Sequence, residues 1–193
     1  FMCHVASSFL TQGLNVLYIT LEMAEERIAE RIDANLFDVT MDDLHDMPKQ
    51  LYDNKLDKLN QKTNGKLIIK EYPTASAHSG HFRALMNELA LKKSFKPDVV
   101  FIDYLNICAS ARFKGGNISS YFYVKAIAEE LRGLAVEFNL PIFSATQTTR
   151  TGYVSTDIGL EDTSESFGLP ATADFMFALM SNEELEALGQ MKV

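Results

Sequence analysis

The chain has 193 residues, 47% of them apolar and 23% charged, with a formal net charge of −8. That is an ordinary globular balance, long enough for one domain with a sizeable core. It excludes a protein that grips nucleic acid through a broad basic face, and no apolar run approaches the roughly 20 residues of a membrane-spanning helix. Any contact with DNA is expected to use a few local groups repeated in an oligomer. Cys3 and Cys108 show neither a disulfide framework nor metal-ligand spacing and read as buried thiols of a reducing compartment.

Taken in order, residues 2–12 read as the end of a helix, with Gly13 suited to the position just past it. Asn15 to Thr20 reads as a buried strand, followed by Leu21-Glu22-Met23 and a helix over 24–36 with Ile28, Ile32 and Leu36 on one face. Thr40 and Asp43 have capping-box spacing, with Val39 and Leu44 as a hydrophobic staple. A lysine-bearing helix is expected within 48–64, ended by Gly65. A second strand runs over 67–72 and stops at Pro73. Ser79 is the expected cap of a helix that reaches Lys93, with Phe82, Leu85, Met86 and Leu89 as its buried stripe.

Val99 to Ile102 is an unbroken apolar run that ends in Asp103. Such a run reads as a strand buried on both faces, as in parallel sheets. Residues 109–120 read as a mobile, basic loop, and 119–138 as a long helix with Tyr121, Val124, Ala128, Leu131, Ala135 and Phe138 on its inner face. A fourth strand covers 142–145. Residues 148–163 read as loop, with Asp162 and Glu165 placed to cap a short helical turn. A last buried strand is expected over 175–180, and a helix start over 182–188. The alternation predicts an α/β domain, its mainly parallel sheet flanked by helices.

Three polar residues fall at or just beyond strand carboxyl ends, where open α/β sheets bind ligands. They are Glu22, Asp103 and Gln147. A glutamate can position and polarise an attacking water. An aspartate can hold a hydrated Mg²⁺. A glutamine amide can report whether a γ-phosphate is present. Each also has a plainer reading: a helix-start glutamate, a turn aspartate and a loop glutamine. The histidines, including His78 and His81, form no convincing ligand set and read as surface residues.

Several segments together resemble the DnaB-type hexameric replicative helicases. Leu17 to Met23 is similar to the family's "SLEM" segment, and Phe101 to Leu105 to its Walker B strand. Ala126 to Ala135, Pro141-Ile142 and Ala145-Thr146-Gln147 are similar to its next helix, strand and sensor. Glu165-Ser166 and Gly168 to Asp174 resemble the T-even-like phage members most. The resemblance spans essentially the whole chain in the correct order.

It implies a RecA-like P-loop NTPase core, with 1–193 as one motor domain. It also implies ATP or another NTP with Mg²⁺, and a homo-hexamer moving on single-stranded DNA. Primase and a helicase loader follow as partners, and the cytoplasm of a phage's bacterial host as the location. Glu22 would be the catalytic glutamate, Asp103 the Mg²⁺-associated aspartate, through water, and Gln147 the γ-phosphate sensor. The loop with Arg150, Ser164 and Glu165 would face the pore and track DNA. No G-x-x-x-x-G-K-[ST] motif occurs in the sequence. The family places it just before the first helix, so 1–193 is expected to be a fragment that lacks the phosphate loop and the C-terminal end, and is inactive by itself. A RecA- or KaiC-like ATPase, or a RecA-like module that only binds partners, are the competing readings.

Overall fold

The apolar runs at 16–20 and 99–103 become the two central strands of a four-stranded parallel sheet. In the computed structural model, residues 1–113, 118–148 and 168–193 are described. The sheet contains β1 (Val16–Thr20), β2 (Leu67–Glu71), β3 (Val99–Asp103) and β4 (Ile142–Ser144), in the order β2-β1-β3-β4. Each of β1 and β3 has a strand on both sides, and Val16 to Ile19 and Val99 to Ile102 are buried throughout.

The helices are α1 (Met2–Thr11), α2 (Glu25–Phe37), α3 (Met41–His45), α4 (Lys49–Lys62), α5 (Ser79–Lys93), α6 (Ser120–Phe138), α7 (Gly168–Thr172) and α8 (Glu183–Ala187). Successive strand residues point to opposite faces, so the two central strands feed two cores. Val16, Tyr18, Val99 and Phe101 pack with Ala6 and Leu10 of α1 and Ile28 and Ile32 of α2. Leu17, Ile19, Val100 and Ile102 pack with Phe82, Met86 and Leu89 of α5 and Ile127, Leu131 and Leu134 of α6. Full burial of each such large side chain is worth about 1.5–3 kcal/mol. That two-sided burial is why neither run alternates with polar residues.

Local signals behave as their chemistry requires. Gly13 takes a left-handed φ of 86° just past α1. Thr40 and Asp43 form the capping box of α3. Gly65 lies beyond the end of α4, where a Cβ would come within 2.6 Å of the Leu10 carbonyl oxygen. Inner-face residues of α6 are Val124, Ala128 and Leu131, joined by Ala126, Ile127 and Leu134, whereas Tyr121 is exposed.

Three further expectations are corrected. The cap of α5 is His78, not Ser79: His78 Nδ1 accepts from the Gly80 amide (3.0 Å), and His81 Nδ1 accepts from the His78 amide (3.2 Å). Ser79 is thereby released to bond elsewhere. Residues 109–112 are not a loose loop, because hydrogen bonds to α6 hold them down. Residues 175–180 form no strand: Phe175 is 80% exposed, and the segment's sole ladder contact among the described residues is an isolated antiparallel bridge between Met180 and Lys192. An apolar run becomes a strand only beside a neighbour that satisfies its backbone, and among the described residues β4 is paired with β3 alone.

Candidate nucleotide site

The ends of β1, β3 and β4 lie side by side along the sheet's carboxyl edge. Thr20 pairs with Asp103 in the ladder. Beyond it, the Leu21 amide donates to the Asp103 carbonyl oxygen (2.8 Å). On the other side, the Leu105 amide donates to the Ala145 carbonyl oxygen (3.2 Å), and Ser144 Oγ donates to the Ile102 carbonyl oxygen (2.7 Å). Glu22, Asp103 and Gln147 are therefore brought to one rim.

Each is held by neighbours. Thr20 is fully buried. Its hydroxyl donates to the Met23 carbonyl oxygen (2.8 Å) and accepts from the Met23 amide (3.0 Å). Thr74 Oγ1 donates to the Leu21 carbonyl oxygen (2.7 Å). The turn is pinned at both ends, and Glu22 stands exposed upon it. Half-buried Asp103 accepts a hydrogen bond at Oδ2 from the Tyr18 hydroxyl (2.9 Å). Burial, then the nearby Cys3 and Asp103, push the Tyr18 phenol far above its ordinary range, so it stays a donor. Exposed Gln147 donates through Nε2 to the Tyr104 hydroxyl (3.3 Å).

Tyr104 is the common neighbour. Its phenol is raised first by burial and then by the negative charges of Glu22 and Asp103. Both carboxylates thus act on the ring that Gln147 touches. Thr146 Oγ1, adjacent to Gln147, is buried without a hydrogen-bond partner among the described residues. Those residues contain no cluster of three or more potential metal ligands. A lone carboxylate fits Mg²⁺ that keeps its waters and uses substrate oxygens, rather than a protein cage.

Tyr18, Thr20 and Tyr104 escaped the sequence reading. A signal existed for the first two: a tyrosine and a threonine inside a buried run must find partners for their hydroxyls. Arg150, Ser164 and Glu165, like Asp162, lie outside the described residues.

A parallel sheet covered on both faces, with carboxylates and an amide along its carboxyl edge, is the α/β architecture within which the RecA-like ATPase fold falls. Solved structures agree. One of them, described as an ATPase domain, superposes with a TM-score of 0.73 over 94% of this chain and 64% of that one, at 18% identity. A DnaB-like replicative helicase, described with its interactions with primase, superposes with a TM-score of 0.69 over 90% and 42%, at 20% identity.

The chain belongs to the DnaB-like helicase C-terminal domain family, whose model matches residues 1–188. It is 48% identical over its whole length to a DnaB-like replicative helicase of Enterobacteria phage T4, and covers 41% of that protein. A probable plasmid replicative DNA helicase of Chlamydia trachomatis is 31% identical over 73% of this chain and 30% of its own length. This membership disfavours the RecA- or KaiC-like alternative. The chain thus spans less than half the length of these relatives. Among the described residues no helix is long and apolar enough to cross a membrane.

Proposed function

We propose that this chain is the motor domain of a replicative DNA helicase, in which NTP hydrolysis drives translocation on single-stranded DNA and duplex unwinding. The observation that carries the reading is the convergence of Glu22, Asp103 and Gln147 around Tyr104 on one sheet edge. Family membership supplies the reaction class.

Glu22, exposed on a pinned turn, orients the attacking water and takes its proton. Asp103 holds the metal side of the triphosphate with the carboxylate that Tyr18 steadies. When bound, Mg²⁺ neutralises charge on the phosphates. Gln147 turns its amide between the γ-phosphate and Tyr104, so the strand end registers whether that phosphate is there. Arg150, Ser164 and Glu165 track the DNA backbone in the pore of a homo-hexamer. ATP is the expected nucleotide, primase and a loader the expected partners, and the host cytoplasm the expected location. The T4 replicative helicase relative supports the phage setting, and the solved structure described with its interactions with primase supports that partner.

Residues 1–193 contain no phosphate-loop motif, so the test uses the complete polypeptide. Glu22→Gln should abolish DNA-stimulated hydrolysis and leave nucleotide binding intact. Gln147→Ala should leave basal hydrolysis and remove its stimulation by DNA. Undiminished turnover in Glu22→Gln would refute the assignment.

A further inference from the structure

The chain leaving β2 does not run straight into α5. β2 and β3 lie on opposite sides of β1, and residues 72–77 bond to both β1 and the segment after β3. The Tyr72 amide donates to the Thr20 carbonyl oxygen (2.9 Å) at the end of β1. Thr74 Oγ1 donates to the Leu21 carbonyl oxygen (2.7 Å). The next residue bonds the other way: the Ala75 amide donates to the Ile107 carbonyl oxygen (2.9 Å), in the 3₁₀ turn Leu105–Ile107 that follows β3. Two residues on, the Ala77 carbonyl oxygen accepts from the Ala109 amide (2.7 Å). The segment is a strut laid across the carboxyl end of β1.

Its shape is specific. The Ser76 amide and hydroxyl both donate to the Pro73 carbonyl oxygen (3.1 and 2.6 Å), which closes a four-residue turn. Ala75, third in that turn, has a φ of 58°, a left-handed conformation that favours glycine. A residue with a Cβ stays there only where its surroundings enforce it, and here the bonds of Thr74 and Ala75 to two separate rims do so. The bond to Leu21 bears on the chemistry. That carbonyl belongs to the rigid peptide plane that ends at the Glu22 Cα. Holding its oxygen fixes the direction in which the Glu22 side chain leaves the backbone.

We propose that Thr74 is a positioning residue for hydrolysis: its hydroxyl holds the Leu21–Glu22 peptide plane, and the Ala75 bond to Ile107 sets that plane relative to the segment that follows Asp103. The proposal rests on the catalytic role given to Glu22 above and adds the part that aims it. The hydroxyl of Thr20 bonds only within the turn, to Met23. Thr74 grips the turn from a different element. It has no need to touch the nucleotide, since a misplacement of about 1 Å at the reacting groups costs on the order of 100-fold in rate.

The experiment measures DNA-stimulated NTP hydrolysis by the complete polypeptide, its affinity for a fluorescent ATP analogue, and its urea denaturation. Thr74→Val should lower kcat roughly 10- to 100-fold and leave nucleotide affinity at the parent's value. Thr74→Ser keeps the hydroxyl and should restore the parent kcat. In a Glu22→Gln background Thr74→Val should cost nothing more, because the threonine acts through the glutamate. Unchanged kcat in Thr74→Val overturns the proposal, and so does an equal loss in Thr74→Ser. Loss of nucleotide affinity or of the fold in Thr74→Val also overturns it, because the hydroxyl would then support the domain rather than aim Glu22. Full turnover in Glu22→Gln refutes the role of the glutamate itself; an inactive Glu22→Gln beside a fully active Thr74→Val sinks this inference alone.

Discussion

Two apolar runs in this chain look alike and end differently. Val99 to Ile102 is fully enclosed, whereas Phe175, Phe177 and Leu179 are 80%, 43% and 40% exposed. Composition does not separate them: both are short, unbroken and rich in large apolar residues. Placement does. β3 has β1 on one side, β4 on the other and a helical layer on each face. The 175–179 run has no ladder partner among the described residues, and its alternate residues face water. A run of apolar letters states a need for burial, and the neighbours decide whether it is met.

The largest expected effect tests that contrast directly. Phe101 is fully buried and stacks on Tyr18 (centroids 5.5 Å apart) and on Phe143 (5.1 Å). Phe101→Ala should cost about 3–5 kcal/mol in urea denaturation. Phe175→Ser should change stability by no more than about 0.5 kcal/mol. Comparable losses at the two positions would mean that the exposed run is enclosed in solution, and the contrast would collapse.

Tyr18→Phe is the next largest. It keeps the ring stack and removes the hydroxyl that donates to Asp103. A hydrogen bond to a charged group is worth about 1.5–3 kcal/mol, and the loss should appear as a lower urea midpoint with an unchanged slope. A neutral result would show that water replaces the phenol, and that Asp103 is steadied by the strand end alone.

These two positions also mark how far the letters reach. The central strands, the parallel sheet and the rim placement of Glu22, Asp103 and Gln147 were legible, because each rests on a local run and its terminal residue. Tyr104 as the meeting point was not legible. It depends on how Gln147, 43 residues later, returns to the edge. The cap of α5 was misplaced by one residue, because a histidine ring at His78 did the work expected of the Ser79 hydroxyl. Ser79 is instead bound to Glu130, 51 positions away. The pinned root at 109–112 was hidden for the same reason: glycine and basic letters suggest looseness, and a distant carboxylate supplies the fixing bonds.

A smaller effect is expected where the C-terminal region is tied to the core. Arg132 on α6 donates to the Thr172 carbonyl oxygen (2.8 Å) and to Asp174 Oδ1 (2.7 Å). Both side chains are substantially exposed, so the pair is screened and weak. Arg132→Ala should lower global stability by less than about 1 kcal/mol. It should still raise proteolytic cleavage after residue 172, since the buried Leu169 then remains as an anchor of α7. Unchanged cleavage would show that Leu169 suffices.

The effect expected at Glu130 is read locally, residue by residue, and is pH-dependent. Burial raises this carboxyl, but hydrogen bonds from Ser110, Ala111, Ser79 and Arg112 together hold it below the ordinary carboxylate range. A depressed folded value means the unfolded chain takes up the proton first. The stabilisation is therefore complete above the ordinary carboxylate range and lost as pH falls through the lowered value. Protection of the Ala111 and Arg112 amides against hydrogen exchange should persist at neutral pH and fail in acid, while β1 and β3 remain protected. Glu130→Gln should remove that protection already at neutral pH, because a neutral amide oxygen accepts more weakly than a carboxylate. Amides that stay protected in Glu130→Gln would show that the Tyr123 hydroxyl and the Ala77 carbonyl alone fix residues 109–112.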